Sequence, residues 1–138
     1  MTEGSRPFDV VTVVVADDSQ TIRHSVNALL GALGCRVVTA DDGFDVLAKV
    51  IDEKPDLVLL DVNMPRLDGY QACVLIKQSE ACGDIPVVLV SAQNGVFDRA
   101  RGRVVQADDY LVKPFSRDEL LAIVKRYSDG KHSGIDEA

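Results

Sequence analysis

Residues 57–61 read LVLLD, four apolar side chains closed by a carboxylate. A run that is apolar without alternation describes a strand covered on both faces, because a half-buried strand alternates polar and apolar residues. A turn is predicted to follow over Val62–Leu67, shaped by Pro65, and Asp68 stands where it can cap the next helix. Asp61 is therefore carried at the end of a rigid buried strand.

Upstream, Val10–Ala16 (VVTVVVA) is β-branched and nearly continuous, a second buried strand. Ser19 fits a helix cap, and Ile22, Val26, Leu29, Leu30 and Leu33 recur at helical spacing until Gly34 supplies a stop. Arg36–Ala40 reads as a short strand. Asp42–Lys54 reads as a helix with Phe44, Leu47, Val50 and Ile51 facing inward, and Pro55 follows it. Downstream, the helix capped by Asp68 runs to about Glu80. Ile85–Val90 is a strand ending in Ser91, Val96–Val105 a weaker helix, and Tyr110–Val112 a short strand. Ser116 and Glu119 form a capping box for a last helix reaching about Tyr127. Residues 1–9 are expected to be a flexible lead-in, 10–127 one domain, and 128–138 a flexible polar tail.

Five strands alternating with five helices imply an α/β fold, a five-stranded parallel sheet with helices on both faces. In such folds ligands bind beyond the carboxyl ends of the strands. The residues predicted there are Asp17 and Asp18 after the first strand, Asp61 after the third, Ser91 after the fourth and Lys113 after the fifth. Two unit charges about 4 Å apart repel by roughly 4 kcal/mol at an effective dielectric of 20. Three carboxylates against one ammonium leave a deficit that a hard divalent cation with oxygen ligands fits, Mg²⁺ above all, with Mn²⁺ as a substitute. A carboxylate is also a nucleophile that can form an aspartyl phosphate. Phosphoryl transfer needs charge neutralisation around the transferred group, which Lys113 and the metal would supply, with the Ser91 hydroxyl as a hydrogen-bond donor.

The bulk numbers agree with one cytosolic domain. The chain has 138 residues, 46% apolar and 27% charged, with a formal charge of −7. An acidic surface disfavours nonspecific nucleic-acid or anionic-membrane binding. Cys35, Cys73 and Cys82 are odd in number and form no C-x-x-C pair, so reduced, packed thiols are expected. Residues 1–9 lack the apolar core of a signal peptide, and no apolar run approaches the ~20 residues of a membrane helix.

The motifs ADDS (16–19), LLDVNMPRLDGY (59–70), VSA (90–92) and YLVKPF (110–115) resemble the signatures of the two-component receiver family, CheY-like and flavodoxin-like in fold. The resemblance spans about Thr12–Arg126 and implies strand order 2-1-3-4-5. It implies that Asp61 is the phospho-acceptor, Asp18 a direct Mg²⁺ ligand, Asp17 a ligand through water, and the Asn63 main-chain carbonyl a further ligand beside Asp61. It implies that Ser91 and Lys113 bind the phosphoryl group and that Ser91 and Tyr110 form the switch. The longer stretches DDSQTIRHSV, DGFDVLAKV, NMPRLDGYQACVLIKQS and VFDRARGRVVQADDYLVKPFS resemble the twitching-motility regulators of bacterial type IV pilus chemosensory systems. That narrower likeness implies a chemosensory histidine kinase or phosphotransfer domain as donor, and an output protein docking on the face of helix four, strand five and helix five. The expected protein is a cytoplasmic bacterial monomer that signals by protein contact, since SDGKHSGIDEA cannot make a DNA-binding module. One departure is Gln106, where the family commonly has glycine.

Each residue also has a plainer reading. Asp17 and Asp18 could cap a helix, Ser91 could end a strand, Lys113 could lie on the surface and Tyr110 could be packing. Lys113 precedes Pro114, and X-Pro bonds adopt the cis form far more readily than others, which could aim the lysine inward. His24 and His132 lack metal-ligand spacing, and Arg99, Arg101 and Arg103 read as a solvated face as well as they read as a docking patch. Three rival functions compete. A haloacid-dehalogenase-type phosphatase wants an acid two residues past the nucleophile, where Asn63 stands. A flavodoxin-like cofactor binder wants a phosphate cradle where Asp17 and Asp18 stand. A phosphorelay intermediate remains open.

Overall fold

Strand β3 (Leu57–Asp61) is buried at every residue and lies at the centre of a five-stranded sheet. β1 (Thr12–Ala16) and β2 (Arg36–Ala40) lie on one side of it, and β4 (Val87–Ser91) and β5 (Asp109–Val112) on the other. All neighbours are parallel, in the order β2-β1-β3-β4-β5. The helices between them are α1 (Gln20–Gly31), α2 (Gly43–Glu53), α3 (Gly69–Gln78), α4 (Val96–Val104) and α5 (Arg117–Arg126). The computed structural model describes residues 10–92 and 96–128, the side chains of 96 and 97 excepted. The expected lead-in 1–9, the tail beyond Ser128 with His132, and Gln93 lie outside the described residues.

The apolar runs are explained by two cores, one on each face of the sheet. Val13, Val15, Leu57, Leu59, Val88 and Val90 pack against α1 and α5 through Val26, Leu30, Leu120 and Val124. The alternate residues Val14, Val58, Leu60, Val87 and Leu89 pack against α2 and α3 through Val46, Val50, Cys73 and Ile76. Both sets are needed because successive side chains of a strand point to opposite faces.

The local signals act as capping chemistry predicts. Ser19 accepts from the Ile22 amide, and Asp42 from that of Asp45. Reciprocal capping boxes join Asp68 with Gln71 and Ser116 with Glu119. Two expectations need correction. Phe44 and Ile51 do not face inward but are 56% and 59% exposed; Val50 is buried as expected, Leu47 packs against the core, and Val46, not predicted, joins them. The apolar stripe of α2 is broad, and contact with the sheet centres the inward face on Val46 and Val50, four residues apart, which leaves Phe44 and Ile51 at its margins. The strand predicted from Ile85 begins at Val87, after Pro86. Gln106 takes a left-handed φ of 65°, a conformation that glycine adopts freely.

The three cysteines are buried and unbridged. Burial pushes the Cys35 and Cys73 thiols up to about 11, so they stay protonated and inert at neutral pH.

Candidate functional site

The carboxyl ends of β1, β3, β4 and β5 bring the predicted residues to one edge. Asp17 follows β1 directly and is 2% exposed, while Asp18, next in the chain, faces solvent. Asp61 closes β3 at 3% exposure, and Ser91 closes β4 at 1%. Each of Asp17, Asp18 and Asp61 offers a carboxylate oxygen within 4.8 Å of the others.

Lys113 reaches into this cluster from just beyond β5. Its Nζ lies 2.8 Å from Asp17 Oδ2 and 3.4 Å from Asp61 Oδ2. The Lys113–Pro114 peptide is cis, and the Lys113 amide donates to the Ser91 carbonyl at 2.8 Å. The other carboxylate oxygens take backbone donors. Asp17 Oδ1 accepts from the Ser19 amide at 2.8 Å, and Asp61 Oδ1 from the Asn63 amide at 3.3 Å.

The electrostatics are those of an anionic pocket short of positive charge. Burial, then the Asp17 carboxylate, pushes the Asp61 carboxyl up to about 6, although Lys113 and the Asn63 amide pull the other way. Burial works against the Lys113 ammonium, but hydrogen bonds and charge from Asp17 and Asp61 outweigh it and hold its pKa above the usual value. Three carboxylates facing one ammonium thus fit a hard divalent cation by donor chemistry. Asp17, Asp18 and Asp61 each have a carboxylate oxygen placed to hold it, and Asp17 and Asp61 share Lys113 while Asp18 alone faces solvent.

Close backbone contact builds the loop around Asp61. A Cβ on Gly69 would lie 2.2 Å from the Asp61 carbonyl oxygen, and the Gly69 amide donates to Val62 O at 3.0 Å. A Cβ on Gly43 would lie 2.1 Å from Leu67 O, so the start of α2 braces the same loop. Arg66, within that loop, has a left-handed φ of 71°.

Several neighbours were not predicted. Arg23, one turn into α1, donates to the Asp17 carbonyl at 2.6 Å. Lys77 donates to Asp108 Oδ2 at 2.5 Å and to Ile85 O at 2.9 Å, tying α3 to the start of β5. Arg99 and Arg101 do not simply face water. Their guanidinium groups lie 5.1 Å from the Tyr110 ring centroid and 3.9 Å from that of Tyr70, respectively. No spacing rule links an arginine on α4 to a tyrosine on α3. Tyr110 itself is half-buried on β5, on the face that meets the α2–α3 core. His24 is exposed, as expected. Among the described residues no helix is long and apolar enough to cross a membrane.

The response regulator receiver domain family matches residues 13–125. Protein PilG of Pseudomonas aeruginosa is 50% identical over 119 residues, which cover 86% of this chain and 88% of that protein. Among solved structures, the chemotaxis protein CheY4 of Vibrio cholerae superposes with a TM-score of 0.81 at 30% identity, covering 86% of this chain and 98% of that one. The receiver domain of sensor histidine kinase PA1611 from Pseudomonas aeruginosa superposes with a TM-score of 0.80 at 29% identity, covering 86% and 98%. That domain has a magnesium ion coordinated in its active-site cleft.

Proposed function

The chain belongs to the response regulator receiver domain family, and on that premise we propose that it is a phospho-acceptor switch carrying the phosphoryl group on Asp61. The single observation that carries this reading is the meeting of three carboxylates within 4.8 Å, two of them bonded to one lysine. A pKa of about 6 leaves Asp61 mostly ionised at neutral pH and thus nucleophilic.

In the proposed reaction an Asp61 carboxylate oxygen forms a P–O bond as the P–N bond of a donor phosphohistidine breaks. The imidazole leaves with the bonding pair and takes a proton from solvent. Lys113 swings its charge from Asp61 to the incoming phosphoryl oxygens, and the Ser91 hydroxyl donates to another. Asp18, Asp61 and the Asn63 main-chain carbonyl would hold Mg²⁺, with Asp17 acting through water. When bound, the metal supplies charge neutralisation for the phosphoryl oxygens. Ser91 and Tyr110 both project toward the face covered by α3 and α4. Movement of Ser91 toward the phosphoryl group would open room for Tyr110 to turn inward and reshape the α4–β5–α5 surface. Output is by protein contact on that surface.

The likeness to PilG supports a finer reading, in which a chemosensory histidine kinase is the donor and type IV pilus twitching motility the output. The receiver spans 10–127, as a cytoplasmic monomer. The deciding experiment is incubation with Mg²⁺ and a small acyl or amido phosphate, followed by intact mass. One phosphoryl group is expected, labile to base and absent from Asp61→Asn. A base-stable adduct that persists in that variant would end the assignment. The motility reading is tested separately, by whether deletion of the gene abolishes twitching and Asp61→Asn fails to restore it.

A further inference from the structure

Asp18 is the exposed member of the acidic cluster, and its carboxylate makes no hydrogen bond or ion pair among the described residues. Asp17 and Asp61, by contrast, are buried and tied to Lys113 and to backbone amides. What orients Asp18 is therefore its backbone, and one side chain grips that backbone from α1. Arg23 reaches back over the first turn of the helix, and its Nη1 donates to the Asp17 carbonyl at 2.6 Å, the short distance of a charge-assisted hydrogen bond. That carbonyl belongs to the planar peptide joining Asp17 to Asp18, so holding its oxygen holds the plane from which the Asp18 side chain departs. The Arg23 amide donates to the Ser19 carbonyl at 3.1 Å, and the Ser19 amide donates to Asp17 Oδ1 at 2.8 Å. Arg23 is thus half-buried against the loop by two bonds, and no carboxylate pairs with it among the described residues.

We propose that Arg23 is a positioning residue for the divalent cation: by fixing the Asp17–Asp18 peptide it pre-orients the Asp18 carboxylate toward Asp17 and Asp61. The inference rests on the reading of the acidic cluster as a Mg²⁺ site. A ligand free to rotate must be ordered when the metal binds, and that ordering weakens affinity. Outer partners that orient metal ligands contribute about 10–100-fold to affinity. The charge of Arg23 acts the other way, because a cation near the loop repels Mg²⁺. Solvent around exposed Asp18 screens that repulsion, so orientation outweighs it and the net effect falls at the low end of the range.

The probe is Mg²⁺ alone, titrated into the full chain in metal-free buffer and followed by ¹H–¹⁵N NMR, whose dispersion also shows that each variant is folded. Arg23→Ala is expected to bind Mg²⁺ about tenfold more weakly than wild type. Alanine is the best helix former, so α1 is retained in that variant. Arg23→Lys keeps a cationic donor on a long side chain and is expected to recover most of the loss. Urea unfolding without metal separates positioning from mere support. A fall in stability with Mg²⁺ affinity unchanged in Arg23→Ala overturns the proposal. So does tighter binding, which would make charge repulsion the larger effect, and so does an Arg23→Lys no tighter than Arg23→Ala. If the wild type itself shows no saturable response to Mg²⁺, the metal reading fails and this inference falls with it, whereas saturable wild-type binding matched by Arg23→Ala sinks this inference alone.

Discussion

Replacing Asp61 by asparagine should make the protein more stable at neutral pH while abolishing its proposed chemistry. Folding carries the Asp61 carboxyl from its ordinary 3.8 to about 6, through burial and then the Asp17 charge. At 1.36 kcal/mol per pH unit that corresponds to about 3 kcal/mol working against the folded state. Water reaches the site past exposed Asp18 and the 22%-exposed Lys113 side chain, so screening reduces the figure to about 1–2 kcal/mol. The sign follows from proton binding. Folded Asp61 holds its proton more tightly than the unfolded chain does, so its contribution to stability is lost as pH rises from about 4 through about 6. Asparagine cannot ionise and escapes that loss. Urea unfolding in metal-free buffer should therefore show Asp61→Asn more stable than wild type by about 1–2 kcal/mol at pH 7.5, a midpoint shift of roughly 1 M, and nearly equal to it at pH 4. Millimolar Mg²⁺ should narrow the gap at pH 7.5 by stabilising the ionised wild type. A variant no more stable than wild type at pH 7.5, or a gain that survives at pH 4, would show that the Asp61 charge is not the cause.

Gly69→Ala places a Cβ 2.2 Å from the Asp61 carbonyl and 2.7 Å from Val62 Cα, backbone that cannot yield locally. A loss of about 2–4 kcal/mol in urea unfolding is expected, and wild-type stability would contradict the close approach. Gln106→Gly removes a left-handed non-glycine residue at φ 65°. Relief of about 1–2 kcal/mol, less glycine's extra unfolded freedom, leaves a gain of about 0.5–1 kcal/mol, whereas a lower melting temperature would assign the side chain a stabilising contact. Lys113→Met removes the cation that pulls Asp61 down, so its carboxyl should titrate above 6 by ¹³C NMR, with slower phosphoryl uptake; a downward movement would sink the electrostatic account.

Much of the site was legible because its residues sit at the ends of elements whose boundaries local chemistry marks. Strand β3 stops at Asp61 because the next residues are turn formers, and the caps at Ser19, Asp68 and Ser116 lie where short polar side chains precede apolar periodicity. Alternation of strands and helices then brings the strand ends to one edge. Residues whose importance comes from a partner on another element left no such mark. Arg23 matters through a carbonyl of the β1–α1 loop, and Tyr70 through α4. Neither residue differs in type or spacing from an ordinary helix position.

The identity of the acidic and basic groups, the buried strands and the parallel α/β plan follow from the chain itself, because hydrophobic period and capping residues act over a few neighbouring positions. Which face of α2 turns inward, how Lys113 divides itself between Asp17 and Asp61, and which aromatic rings meet the arginines of α4 were decided only by the packed structure. Those outcomes depend on distances between segments far apart in sequence, and such distances exist only once the sheet has brought the segments together.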